Sequence, residues 1–227
     1  MSSFISDLRE NNRLSVTVIL AMSCLLSVSI EAFRVYYSGF NTYLFLIWNL
    51  FLAILPYVIS TFFLLYYKKI NSLILTGIIL TSWLLLFPNA PYIVTDFFHL
   101  DQKAGIPYWY DLGMILSFAW NGLILGFISL YDIQTALQRR FGAFKGWAFA
   151  IFSLVLGSFG IYLGRYERFN SWDVLTNPVE LFVDIANRFI HPMQHPRTML
   201  MTVLFSVVLI FGYVTLVMMF KPRKSEN

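Results

Sequence analysis

Charge is what this sequence has least of. Only 12% of its 227 residues are Asp, Glu, Lys or Arg, against about 25% in a soluble domain. The deficit runs along the whole length, so most of the chain meets lipid and not water. Cysteine is nearly absent. The single Cys24 lies inside the first apolar run, which excludes an intramolecular disulfide and supports no thiolate metal site. No Gly-x-Ser-x-Gly elbow is present to present a nucleophilic serine. No HExxH motif is present either: between His191 and His195 stand Pro192, Met193 and Gln194. The net charge of +4 and pI near 9.2 come without a basic stripe or a binding motif, so no nucleic-acid partner is expected. Internal repeats, low-complexity tracts and a soluble domain are also missing. The two halves do not match as the inverted three-helix repeats of a transporter would.

What is present is apolar and continuous. Hydrophobic residues make up 58% of the chain and the mean hydropathy is +0.68. The apolar blocks do not alternate with polar residues, as the strands of a membrane barrel would. Helices are therefore expected, since a lipid-facing backbone must satisfy its own hydrogen bonds. Six runs read as crossings: 14–30, 42–66, 70–87, 111–131, 147–164 and 198–220. The first is too long for a signal-peptide core and no small-residue cleavage site follows, so it reads as a retained helix. Pro56 should kink the second. Gly122 and Gly126, with Gly160 and Gly164, are spaced to let the fourth and fifth helices approach closely. Thr176-Asn177-Pro178 starts a further helix. Its Val179, Phe182, Val183, Ala186, Phe189 and Ile190 form an apolar stripe, and Glu180, Asp184, Asn187, Arg188 and His191 a polar one. Such a helix lies on the bilayer surface or caps the bundle. The expected fold is an all-α integral membrane protein: a bundle of about six transmembrane helices plus an outer-face amphipathic helix. Residues 1–13 and 221–227 are read as cytoplasmic tails flanking one polytopic domain, 14–220.

Six crossings put both termini on one side. That side holds Arg9, Arg13, Lys68, Lys69, Arg139, Arg140, Lys145, Lys221, Arg223 and Lys224, mostly in short connections, which makes it cytoplasmic. Glu31, Asp96, Asp101, Asp111, Glu167, Asp173, Glu180, Asp184 and all three histidines collect on the opposite, outer face. Trp83, Trp109 and Trp172 fall near that face, as an aromatic belt would.

Two stretches concentrate the chemistry there. In Pro88–His99, two prolines stop an apolar run. Asn89 is placed to cap a short helix, and Asp96 and His99, three apart, would share one face as an acid–base pair. Glu31 and Arg34 are also three apart and share a face if the first helix continues. They could pair with each other or reach the second stretch, Arg165 to Asp173. There Arg165, Glu167, Arg168, Asn170, Trp172 and Asp173, with Asn177 beyond, could grip an anionic head group or sugar by guanidinium forks and a stacking plane. The candidate catalytic groups are thus Asp96, His99 and Glu31. The candidate substrate-binding groups are Asn89, Arg34, Arg165, Glu167, Arg168, Asn170, Trp172, Asp173 and Asn177. No metal or cofactor is expected, because a proline follows each of His191 and His195 and the ligand spacing fails.

The stretches Trp83-Leu-Leu-Leu-Phe-Pro-Asn-Ala-Pro-Tyr-Ile-Val-Thr-Asp-Phe-Phe-His99 and Arg168-Phe-Asn-Ser-Trp-Asp-Val-Leu-Thr-Asn-Pro178 resemble the uncharacterised bacterial multi-pass membrane family catalogued as domain of unknown function 1361. The resemblance implies a bacterial plasma-membrane protein and supplies no catalytic residues. The residues themselves point to an outer-face site for a lipid-linked or cell-envelope substrate. The alternatives are a small transporter or accessory subunit, with Asn49, Pro56 and Asn121 lining a path, and a structural protein with no site.

Overall fold

The computed structural model describes residues 6–9, 13–70, 72–101, 105–169 and 171–220. Both terminal tails lie largely outside these, as do Lys103 and Asn170. Among the described residues there are helices and no strands. Six segments are long and apolar enough to cross a membrane: Leu14–Ser38, Phe45–Tyr66, Leu73–His99, Tyr108–Phe141, Ala143–Tyr166 and Pro196–Met219. The chain divides into two compact units, Met1–Ala136 and Leu137–Asn227.

The first unit contains α1 (Leu14–Ser38), α2 (Phe45–Tyr66), α3 (Leu73–Leu86), the single turn α4 (Asn89–Tyr92), a 3₁₀ helix (Ile93–His99) and most of α5 (Tyr108–Phe141). α1 continues well past the expected end at residue 30 and stops at Gly39, whose φ of 71° is the left-handed geometry glycine accepts readily. Its buried residues are Leu20, Cys24, Ser27, Glu31 and Arg34, at alternating steps of four and three. One helix face therefore turns inward, and it is the more polar one. Val18, Ile19, Met22, Leu25 and Leu26 are exposed, as suits a lipid-facing surface. α2 runs through Pro56 and packs against α3, α4 and the 3₁₀ helix. The core draws on Leu20 and Cys24 of α1, Leu46, Leu50 and Ala53 of α2, Ala90 and Ile93 of the corner, and Ile115, Phe118 and Leu125 of α5.

The segment after the double proline continues as helical turns as far as His99. Two expectations are corrected here. Trp83 is not in an interfacial belt. It is fully buried, and its indole N–H donates to Ser129 Oγ (2.6 Å), which donates to Pro56 O (2.8 Å). α5 is longer than the apolar run that announced it. It has 34 residues, about 51 Å of helix at about 1.5 Å per residue. No glycine or proline stands between Tyr131 and Phe141 to break it. Arg139 and Arg140, expected in a loop, occupy its last turn and complement the helix dipole. Asp132 consequently lies within the helix, buried and ion-paired with Arg13. The connection itself shrinks to Gly142, at φ 96°.

The glycines of α5 also serve a different neighbour from the one expected. A Cβ on Gly122 would lie 2.5 Å from Ala90 O, and one on Gly126 would lie 3.1 Å from Ala90 Cβ. The two glycines form a notch that receives the Pro88–Ile93 corner.

The second unit contains α6 (Ala143–Tyr166), the single turn α7 (Asp173–Thr176), α8 (Pro178–Ile190), a 3₁₀ turn (Pro192–Gln194) and α9 (Pro196–Phe220). α6 and α9 pack together, with Trp147 edge-on to Tyr213 at 6.3 Å. α8 starts at Pro178 and ends before His191-Pro192, as the residue before proline resists helical geometry. Its Leu181 joins a small apolar cluster with Phe159, Tyr162 and Leu163 of α6.

The notch is testable. Gly122→Ala must displace backbone and should cost about 1–3 kcal/mol by overpacking. It will read as a lowered unfolding temperature in detergent. Gly77→Ala, where a Cβ meets open space, should leave that temperature unchanged or raise it slightly.

Candidate functional site

At the end of the first unit where α1 meets α2, five elements bring their polar groups together. Arg34, in the last turns of α1, is buried and forms a two-pronged pair with Asp111: Nε to Oδ1 at 2.7 Å and Nη2 to Oδ2 at 3.1 Å. Asp111 stands in the first turn of α5, where the helix dipole favours a carboxylate. The remaining Arg34 nitrogen, Nη1, donates to Phe40 O at 3.3 Å. The Tyr43 ring lies 4.6 Å from the guanidinium carbon, a cation–π contact. Tyr43 also ties this pair to the corner, because its hydroxyl donates to His99 O at 3.1 Å. Tyr110 closes the other side by donating to Ile30 O at 2.8 Å.

Glu31 sits one turn before Arg34 on the same buried face and has no exposed surface. It lies within electrostatic reach of Arg34 and Asp111. Among the described residues, neither of its carboxylate oxygens has a hydrogen-bond partner. Arg34 directs three of its five N–H donors to Asp111 and Phe40, and none donates to Glu31. Glu31 is therefore an acceptor left open in a low-dielectric setting, where an unmade hydrogen bond is costly.

Asp96 and His99 both belong to the 3₁₀ helix at this end. Asp96 is buried and accepts from Asn49 Nδ2 at 2.8 Å. His99 is exposed, with its ring edge-on to Phe45 at 5.1 Å. Asn89 is the first residue of α4 and not its cap. Its amide donates back to Leu86 O at 2.9 Å and so closes the end of α3. Asn121, a candidate path-lining residue, instead donates to Ser23 O, Ser27 Oγ and Ser117 O, joining α5 to α1. That is how Asn joins helices in lipid.

The second unit has its own polar cluster, centred on Arg188 of α8. Its Nε and Nη2 take both oxygens of Asp184 at 2.8 and 3.0 Å. Nη2 also reaches Glu167 Oε1 at 2.9 Å. Nη1 meets the Tyr162 hydroxyl (3.1 Å), Thr198 Oγ1 (3.1 Å) and His195 Nδ1 (3.3 Å). Tyr162 OH in turn donates to Glu167 at 3.0 Å. Burial opposes the charge on Arg188, but Asp184, Tyr162 and Glu167 outweigh it and hold the guanidinium above its ordinary pKa.

Of the candidates between 165 and 177, Glu167 enters this cluster. Asp173 accepts from Thr176 Oγ1 at 3.0 Å, and Asn177 donates to Glu180. Trp172 is exposed and Arg165 half-buried. Arg168 is exposed and holds a left-handed φ of 61°, which turns the chain so that the Phe169 N–H donates to Leu163 O at 3.2 Å. Asn170 lies outside the described residues. Among those residues, no three His, Cys, Asp or Glu side chains gather as metal ligands.

Sequence reasoning named neither Asp111 nor Arg188 as a site residue. Asp111 carries one local signal, an acid in the first turn of a long helix. Arg188 carries another, since it stands four residues after Asp184. The Tyr43, Tyr110 and Asn49 contacts have no local signal.

The profile of a family described as "Protein of unknown function (DUF1361)" matches residues 48–211. That stretch includes Asp96, His99, Asp111 and Arg188 and stops short of Glu31 and Arg34. No curated protein and no solved structure matches the chain.

The Arg34–Asp111 pair makes a double test. Arg34→Met or Asp111→Leu alone leaves one buried charge and should cost about 3–5 kcal/mol, whereas the double variant should recover most of the loss. Unfolding temperatures of the three proteins in detergent will show it. Arg168→Gly should stabilise by about 1 kcal/mol, by releasing a left-handed residue.

Proposed function

We propose a function for a chain that belongs to the family described as "Protein of unknown function (DUF1361)": it binds a lipid-linked or cell-envelope substrate at the polar end of the first unit. Glu31 is the observation that carries this reading. Its two buried oxygens are open acceptors beside the Arg34–Asp111 pair. They call for a partner that brings hydrogen-bond donors, such as the hydroxyl or amine groups of a head group. Asp96 and His99, at the same end, supply a carboxylate and an imidazole for holding or reacting with it. The substrate reaches this end from the bilayer, where an ionisable group within a span marks a function by default. In this reading the chain is a multi-pass protein of the bacterial plasma membrane with both termini cytoplasmic. The basic residues Lys68 and Lys69 between α2 and α3, and Arg139, Arg140 and Lys145 in the helix ends on either side of Gly142, support that orientation.

A transporter reading has less behind it. Asn49 and Asn121, which would line its path, are engaged in helix-to-helix and helix-to-corner hydrogen bonds. A structural reading draws on the internal pairing of Arg34, Asp111 and Asp96, and it gives Glu31 no role.

The test is the lipid complement of the purified protein. Native mass spectrometry should find a head-group-bearing species retained by the wild type. Glu31→Gln and His99→Ala should lose it while keeping their unfolding temperatures within a few degrees. Identical lipid complements in all three proteins would defeat the proposal and favour the structural reading.

A further inference from the structure

The amphipathic helix α8 is turned the opposite way from a helix that covers a bundle. Val179, Phe182, Val183 and Ile190 are 60–73% exposed, while Arg188 and Leu181, on the opposite side, are buried. At about 100° per residue the four exposed side chains occupy an arc about 100° wide, with Arg188 and Asp184 facing away from it. The polar face is occupied within its own unit by Tyr162, Glu167, His195 and Thr198. Its outward face is apolar.

We propose that α8 lies in the lipid–water boundary with Val179, Phe182, Val183 and Ile190 immersed in the bilayer, so that this face is a lipid-binding surface. Three observations select lipid as the occupant. First, α8 packs on the end of α6 through Leu181 and is joined to α9 by the short 191–195 connection, and α6 and α9 are both long and apolar enough to cross a membrane. It can therefore lie only near the level where those helices emerge. Second, α9, which begins five residues after α8, also exposes apolar side chains in its first turns, at Met199, Leu200 and Val203, as a crossing helix presents to lipid. Third, Glu180 and Asn187 border the apolar arc along one edge and are exposed, as an in-plane helix requires of an edge that meets water and head groups. The Arg188 cluster then acts as the clasp between the membrane-embedded helix and the ends of α6 and α9. This surface belongs to the second unit and does not depend on the function proposed for the Glu31 end.

Site-directed spin labelling of the full chain tests the surface. Cys24→Ala leaves no native thiol, and single cysteines at positions 179, 180, 182, 183, 187 and 190 are labelled in turn. The proteins are then reconstituted in phosphatidylcholine–phosphatidylglycerol nanodiscs. Collision with oxygen should dominate at 179, 182, 183 and 190. Collision with a water-soluble nickel chelate should dominate at 180 and 187. Nickel access at the first four positions would overturn the proposal by placing the face in water. Shielding from both agents would overturn it by showing a protein contact, including one with a second copy. A second measurement needs no substitution. A lipid-soluble diazirine in the same nanodiscs should label the 178–190 peptide of the wild type, and an unlabelled peptide there would equally overturn it.

Discussion

The pairing of Arg34 with Asp111 is the constraint on which the first unit depends. In lipid, apolar surfaces gain nothing by choosing one neighbour over another, so packing alone specifies few contacts. A charge is different. Arg34 within a span must find its counter-ion, and the carboxylate it meets stands 77 positions later at the start of α5. That single match joins the end of α1 to the beginning of α5. Tyr43 is trapped against the guanidinium, and its hydroxyl reaches the backbone of His99. The 3₁₀ helix carrying Asp96 is thereby tied to the same end. The glycine notch of α5 secures the other end of this corner by accepting Ala90. Between them, one ion pair and one steric fit place most of the polar candidates of the first unit.

The same logic governs the second unit on a smaller scale. Arg188 gathers groups from α6, α8 and the start of α9, and neither of its carboxylate partners is left to satisfy it alone. In each unit one helix turns a polar or charged face inward and an apolar face outward. α1 does so with Ser27, Glu31 and Arg34, and α8 with Asp184 and Arg188. This inversion of the soluble pattern follows from the solvent: the bilayer accepts leucine and rejects guanidinium. Within it Glu31 is anomalous. It faces inward like Arg34, yet no donor among the described residues meets it.

Much of the fold was legible because helix breaks and lipid compatibility are local properties. The double proline at Pro88 and Pro91, the Asn177-Pro178 start and the His191-Pro192 stop each act within a few residues. Element limits were misplaced where polarity was taken for a break. α1 runs on through Glu31 and Arg34, and α5 through Asp132, because a charged residue need not end a helix when a partner awaits it. The site was legible only as an inventory. Glu31, Arg34, Asp96 and His99 stood out as polar groups in an apolar chain, but the partners offered for Arg34 were Glu31 or the Arg165–Asp173 stretch. Asp111, its actual partner, lay in another element, and nothing near Arg34 in the chain identifies it.

The amino-acid sequence by itself determined that this is an all-α membrane protein with six helices long and apolar enough to cross a bilayer, where most of its helices are interrupted, and that one short helix is amphipathic. Composition, proline and glycine act locally, and hydrophobic length answers directly to the thickness of a bilayer. Only the tertiary structure decided which charge meets which, that the α5 glycines hold the Ala90 corner, and that α8 turns its apolar face outward. Those outcomes rest on distances between residues far apart in the chain. An amphipathic pattern gives a helix two faces without saying which one the rest of the protein will claim.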